Sequence, residues 1–291
     1  MQWWGWVLLA ALAVLIYGMT FARWRFLVQY SEARVLPKGS KPIRVLHISD
    51  VHMAPWQQRK QFFIKDLGKE KADLIINTGD NLGHQDVILE TMDAYQAILK
   101  TPGVFVNGSN DYYAPKLKNP LGYLLKPSTT DNSRPLATGE LTTAFEAHGW
   151  KNLNNKSTTL NVNGVKLGFV GVDDPHDKLD DLNSIKAPKS EIIIGVAHAP
   201  YRRVIEAFAE AGAAIMFAGH THGGQVRVPG IGALTTNSDL PNKYAKGLSA
   251  WLFKDKVMLL NVAAGLGNSI YAPIRFWNRP EVRVVTLLPV I

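Results

Sequence analysis

Five short stretches hold the side chains that could do chemistry: Asp50 and His52 in "SDVH", Asp80 in "TGDN", Asn110 and Asp111 in "GSND", His198 in "AHAP", and His220 and His222 in "GHTH". The chain has no cysteine, which excludes disulfides and thiolate sites. A metal would have to be held by imidazole, carboxylate, amide or water, donors that suit hard or borderline divalent ions. Taken singly, each stretch is a weak signal, since an isolated Asp-x-His is usually a surface accident and a lone histidine after a strand is usually a hydrogen-bonded structural residue. Their shared position at the ends of apolar runs makes them a set.

The run "IRVLHIS" (43–49) stops at Asp50, "DLIINTG" (73–79) stops at Asp80, and "GVFVNG" (103–108) stops just before Asn110. Helix-compatible sequence fills 57–69 and 86–100 between them. Strand, helix, strand, helix, strand predicts right-handed crossovers and a parallel sheet. The C-terminal ends of such strands share one edge, where ligands distant in sequence become neighbours. If extended, Asp50 with His52 and His220 with His222 would point the same way and act as pincers. Gly79, Gly108, Gly219, Gly223 and Gly224 flank the ligands, where the main chain must turn tightly.

The second half reads as further strands: a hairpin in "STTLNVNGVKLGFVGV" (157–172) turning at Asn163-Gly164, then 191–198, 213–220, 257–265 and 281–290. The expected fold is α/β, two packed sheets flanked by helices, in one domain over residues 43–291. The segment 114–135, rich in proline, lysine and asparagine around "LGYLL", reads as an insertion or lid.

Residues Trp3 to Ala22 carry no charged side chain. As a helix they would span a hydrocarbon core of about 30 Å. Trp3, Trp4 and Trp6 at one end and Tyr17, Phe21 and Trp24 toward the other suit interfacial positions. A cleaved signal peptide is the alternative, but no basic residue precedes the run, which favours a retained anchor over residues 1–24. Arg23, Arg25, Arg34, Lys38, Lys41 and Arg44 follow it, so the positive-inside tendency places the domain in the cytoplasm, beyond a juxtamembrane linker at 25–42. The net charge of +8 and isoelectric point near 9.5 suit anionic lipid better than nucleic acid, because the basic residues cluster beside the span and no interleaved aromatic platform stands out.

The ordered set D-x-H, G-D, a G-N-H-D-like stretch, H and G-H-x-H resembles the calcineurin-like metallophosphoesterases, and "GHTHGGQV" with the N-terminal anchor resembles their membrane-anchored bacterial branch. The resemblance covers residue 43 onward. It implies an αββα sandwich and two divalent metal ions such as manganese, iron or zinc. Asp50, His52, Asp80 and His222 would surround the first ion, and Asp80, an asparagine, His198 and His220 the second, with Asp80 bridging. A hydroxide shared between the two cations would attack phosphorus in line with the leaving oxygen.

The chain departs from the family at Gly108-Ser109-Asn110-Asp111, where the pattern is G-N-H-[DE]. Either Ser109 takes the metal position or the loop shifts and Asn110 does; an amide oxygen is the better donor for a hard cation, which favours Asn110. The histidine that assists the leaving group is missing in both alignments, which suits a good leaving group such as a phosphate or nucleotide. His84, four residues after Asp80, is a candidate catalytic replacement; its alternative is a loop histidine bonded to backbone. His176 in "VDDPHD" could line the cleft beside Asp173 and Asp174, though a solvated turn is favoured, and His47 and His148 read as structural. Lys116, Lys118 and Lys126 around "LGYLL", and Arg275, Phe276, Trp277 and Arg279 in "APIRFWNRPE", could rest on an anionic membrane or pack on the domain. The expected function is hydrolysis of a phosphoester or pyrophosphate in a lipid-linked or nucleotide substrate. The rivals are a catalytically weakened metal-binding or regulatory protein on the same scaffold and a nuclease.

Overall fold

The structure, a computed structural model, describes residues 2–115, 132–268 and 273–291. The expected insertion at 114–135 therefore lies largely outside the described residues, as do Lys116, Lys118, Lys126 and "LGYLL".

The chain opens with helix α1 (Trp3–Ile16), which continues through a π-helical turn (Tyr17–Phe21) and a 3-10 turn (Ala22–Trp24). Trp3–Trp24 is 22 residues long and apolar enough to cross a membrane by length and composition, a test that a signal sequence also passes. Strands β1 (Leu27–Leu36) and β2 (Ile43–Ile48) follow, then helix α2 (Gln58–Asp66), β3 (Leu74–Asn77), α3 (Ile88–Tyr95), β4 (Gly103–Phe105), the one-turn helix α4 (Ser109–Tyr112), α5 (Thr138–Ala147) and β5 (Lys151–Asn152). The second half is β6 (Ser157–Val162), β7 (Val165–Gly171), β8 (Ile192–Val196), α6 (Arg202–Glu210), β9 (Ile215–Ala218), a short ribbon of β10 (Arg227–Val228) and β11 (Gly232–Ala233), then β12 (Gly247–Phe253), β13 (Lys256–Val262) and β14 (Glu281–Pro289).

Two six-stranded sheets result, ordered β1-β14-β2-β3-β4-β5 and β12-β13-β9-β8-β7-β6. Strands β2, β3 and β4 pair in parallel, as do β7, β8 and β9, so each half presents its C-terminal strand ends on one side. Period-two alternation divides the apolar residues between faces. Val45, Ile76 and Val104 of the first sheet meet Phe169, Ile194 and Phe217 of the second in the central core. Their neighbours Leu46, Ile75 and Phe105 face outward against Ile64, Tyr95 and Phe145 on α2, α3 and α5. On the far side Met216 and Leu260 pack on Val204 and Phe208 of α6. The layering is αββα. Asn163 (φ +52°) and Gly164 (φ +87°) make the two-residue turn between β6 and β7, as the Asn-Gly pair predicts.

Residues 25–42 are not simply a linker: β1 lies within them and pairs in parallel with β14 from Leu27↔Glu281 to Leu36↔Pro289. This edge strand buries only Ala33 and Leu36, so its polar outer positions read in sequence as a basic connector. The helix end is also docked. Arg275 N–H donates to Gly18 O at 3.0 Å, and a Cβ on Gly18 would press on Arg275 O and Ile274.

A buried polar link crosses between the sheets. Asn261 of β13 donates to His47 Nδ1 (2.8 Å), which leaves the His47 Nε2 hydrogen to Thr78 Oγ1 (2.9 Å), while Arg283 Nε of β14 donates to Asn261 Oδ1 (2.8 Å). Burial, then the Arg283 charge, lowers His47 to about 3. A histidine kept neutral in the fold contributes stability above its unfolded value of about 6.5, and that contribution drains away as the pH falls toward 3. Chemical unfolding of His47→Gln should therefore show a shallower loss of stability between pH 6.5 and 3.5 than the parent chain; parallel curves would rule out His47 as an acid-sensitive link.

Candidate metal centre

The strands stop where the main chain turns left-handed. φ is +48° at Asp50, +43° at His52, +56° at Asp80, +66° at His220 and +48° at His222. The expected extended pincers are thus corrected: the paired side chains converge through turned backbone, not through strand alternation. Left-handed conformation at a non-glycine residue costs about 1 kcal/mol or more. Five such residues in one pocket persist because hydrogen bonds over-determine them. Asp50 N–H donates to Gly79 O (2.9 Å), His52 N–H to Asp80 O (2.9 Å), and His220 N–H to both Asp50 carboxylate oxygens (3.0 Å each).

Asp111 organises this loop. Its buried carboxylate accepts from the N–H groups of Gly108, Asp80, Asn81 and Leu82 at 2.7–3.2 Å. It is therefore a backbone clamp, with its pKa raised to about 6 by burial and by Asp80. Two glycines are required by close approach: a Cβ on Gly108 would run into Asp80 Oδ1 and the His198 ring, and one on Gly219 into the Ser49 and Asp50 side chains.

Six of the residues expected as ligands meet in one buried pocket. Asp50, His52 and His222 form one group of possible donors within 4.8 Å of one another, and Asp50, Asp80 and His198 form a second. Asp50 belongs to both groups, whereas the family pattern makes Asp80 the bridge. Individual distances reconcile the two, because Asp80 Oδ2 lies 3.4 Å from His52 Nε2 and 3.5 Å from His198 Nε2, one histidine from each group. His220 joins through His198, its Nδ1 3.3 Å from His198 Nε2.

These nitrogens provide the test of whether a cation fits. His198 Nδ1 donates to Thr78 O (2.7 Å) and His220 Nε2 to Asn237 O (3.1 Å). That leaves His198 Nε2 and His220 Nδ1 as the ring nitrogens that face each other, 3.3 Å apart beside a carboxylate. Neither ring nitrogen of buried His52 has a hydrogen-bond partner. Two imidazole nitrogens turned toward each other and the orphaned His52 ring, next to carboxylates, match a divalent-cation donor set.

The electrostatics agree. Burial pushes Asp50 and Asp80 up and His52, His220 and His222 well down, disfavouring charge at each. His198 moves the other way: burial lowers it, but Asp80, Asp174 and Asp50 together outweigh that and raise it to about 9. A positive charge is thus favoured beside His198, and a divalent cation would displace its proton.

At the departure from the family pattern, the Ser109 hydroxyl is engaged by Asp174 Oδ2 at 2.5 Å. Asn110 instead faces the pocket, donating to Asp80 Oδ1 from its N–H (2.8 Å) and to Oδ2 from its side chain (2.9 Å). His84 is not gathered into the cluster. Its Nδ1 accepts from Asp86 N–H (3.2 Å) and its ring meets the edge of Trp56, with centroids 5.6 Å apart.

Further neighbours, outside the expected ligand set, surround the pocket. His176 is no solvated turn: its ring centroid lies 4.6 Å from that of His220, and its Nδ1 is 3.0 Å from the Tyr201 hydroxyl. Asn278 donates to His222 O at 2.6 Å. Arg275, in a loop that could have rested on a membrane or packed on the domain, is fully buried and donates from Nη2 to Ala264 O (2.7 Å) and Gly267 O (2.6 Å), 3.5 Å from His222 Nδ1. By tying those carbonyls together it braces the loop behind the pocket. The neighbouring Asp173 and Asp174 were the signal for His176, and the sequence left the Arg275 loop between packing on the domain and resting on a membrane. A wide cleft of about 620 Å³ along Trp150, Lys151, Asn155, Lys156 and Lys186 contains none of the expected ligands.

An αββα sandwich that gathers carboxylates and imidazoles at its strand ends defines a metal-dependent hydrolase of phosphoric esters. Residues 43–224 match the calcineurin-like phosphoesterase family, and the chain belongs to it. Relatives include the uncharacterised protein YpbG of Bacillus subtilis (strain 168), 27% identical over 86% of this chain and 83% of that one. The uncharacterised metallophosphoesterase YkuE of the same organism is 23% identical over 88% and 82%. Among solved structures, TT1561 of Thermus thermophilus is similar with a TM-score of 0.43 and 13% identity, covering 78% of this chain and 91% of that one.

Proposed function

We propose that the protein is a membrane-anchored dinuclear phosphoesterase that cleaves a phosphoester or pyrophosphate bond in a lipid-linked or nucleotide-containing substrate. The observation that carries this reading is the approach of His198 Nε2 and His220 Nδ1 to 3.3 Å beside Asp80, next to the orphaned His52 ring. Asp50, His52, Asp80 and His222 would hold one ion, and Asp80, Asn110, His198 and His220 the other. Manganese, iron or zinc suits this donor set. Bound divalent cations supply activation of water at neutral pH and neutralisation of phosphoryl charge.

The chain's own residues do the positioning. Thr78 O and Asn237 O engage the far ring nitrogens of His198 and His220, so each imidazole turns its other nitrogen inward, where His198 would give up its proton to a cation. Asn110 holds both oxygens of Asp80, fixing the carboxylate between the two histidine groups. No histidine stands in the "GSND" turn to protonate a leaving oxygen, so the site suits leaving groups that depart without help. The Trp3–Trp24 helix would hold the domain at the cytoplasmic face, where a lipid-linked substrate meets it at high local concentration.

The missing acid also motivates a second reading, a metal-binding regulatory protein with weakened catalysis. Hydrolysis of an activated aryl phosphodiester by the full-length chain with added manganese, followed by a screen of phospholipid precursors, separates the two: turnover supports the hydrolase and its absence the regulator. If His84 assists the reaction from the rim, His84→Ala lowers turnover by about tenfold to a hundredfold while metal content holds. Unchanged turnover removes His84 from the mechanism.

A further inference from the structure

Where the N-terminal helix reaches the domain, a crevice of about 70 Å³ opens between Arg23 and Trp24 on the helix and Trp56, Lys60, Leu266 and Asn268 on the domain. Its described lining includes two cations and no carboxylate. Lys60 is 2% exposed, yet its ammonium has no acidic partner among the described residues; it donates to Val51 O (2.5 Å) and Gln57 Oε1 (2.7 Å). Arg23 Nε is buried with no hydrogen-bond partner. An orphaned guanidinium N–H beside a buried lysine that lacks an acidic partner calls for an acceptor that carries negative charge.

The location narrows what that acceptor is. Arg23 and Trp24 end the apolar Trp3–Trp24 helix, the depth at which lipid phosphates lie. Arg23 sits over the Trp24 ring at 4.6 Å, and Trp56 is 59% exposed on the opposite wall, an interfacial aromatic. We propose that this crevice is a headgroup site that takes the phosphate of an anionic membrane lipid, with Arg23 and Lys60 as its cationic walls and Trp24 and Trp56 at its rim. The lipid would set the domain's register on the bilayer. Because Lys60 also reaches His52 O at 3.3 Å, the headgroup would sit beside the chain that carries His52. The inference rests on the membrane reading and is independent of the metal chemistry.

The test titrates the full-length chain, in neutral detergent, with dihexanoyl phosphatidylglycerol, dihexanoyl phosphatidylcholine and inorganic phosphate, followed by calorimetry. Saturable binding of the phosphatidylglycerol is expected, at least about tenfold tighter than the phosphatidylcholine and weakened at least about tenfold by Arg23→Gln. In parallel, manganese-supported hydrolysis of the aryl phosphodiester should stay within about twofold in Arg23→Gln, which separates failure of the crevice from failure of the metal centre or the fold. Equal binding of the two lipids, or phosphatidylglycerol binding indifferent to Arg23→Gln, overturns the proposal. Inorganic phosphate binding as tightly, with the same dependence on Arg23, also overturns it by assigning the crevice to a soluble anion.

Discussion

Asp80→Asn should abolish hydrolysis of an activated aryl phosphodiester, by about three orders of magnitude or more, with manganese present. The expectation comes from position. One oxygen of Asp80 lies within 3.5 Å of a histidine from each donor group, which makes it the natural bridge between them. An amide removes the negative charge that two cations would divide, and its NH₂ can turn a donor toward them. Asp80 also receives two hydrogen bonds from Asn110, which an amide at position 80 could only partly keep. Turnover and bound metal should fall together. Loss of turnover with metal retained would place Asp80 in some other role, and a variant as active as the parent would remove it from the centre.

Gly108→Ala has the second-largest expected effect. Backbone at Gly108 is extended (φ −117°, ψ 174°), a conformation alanine adopts freely, so the fold should tolerate the change. The added methyl would enter the space held by Asp80 Oδ1 and the His198 ring, and both neighbours are locked, Asp80 by Asn110 and His198 by Thr78 O. Metal affinity and turnover should each drop about tenfold to a hundredfold, the scale of losses when ligand support is disturbed. The melting temperature should move by only a few degrees. A variant that binds metal normally would show that Asp80 and His198 can shift apart without consequence.

Much of this arrangement was legible in the residues. The apolar runs before Asp50, Asp80 and Asn110 became β2, β3 and β4, since short buried strands need only a few apolar side chains and a turn signal. The Asn163-Gly164 turn appeared at its expected place because few other residue pairs adopt left-handed backbone twice in succession. Strand β1 was missed because an edge strand with two buried residues carries little period-two pattern. The pocket's outer support was hidden for a different reason. Arg275 reads as a surface cation, and only the carbonyls of Ala264 and Gly267, brought over it by the fold, make it internal. His176 was likewise ambiguous until α6 and β9 set Tyr201 and His220 against it. The choice between Ser109 and Asn110 depended on Asp174, 65 positions from Ser109, taking up the serine hydroxyl.

The most direct test of the central claim is anomalous diffraction from crystals of the full-length chain grown with manganese. Two anomalous peaks are expected, one among Asp50, His52 and His222 and one beside His198 and His220, with Asp80 between them. A single peak elsewhere, or none at saturating manganese, would contradict a dinuclear centre at these strand ends.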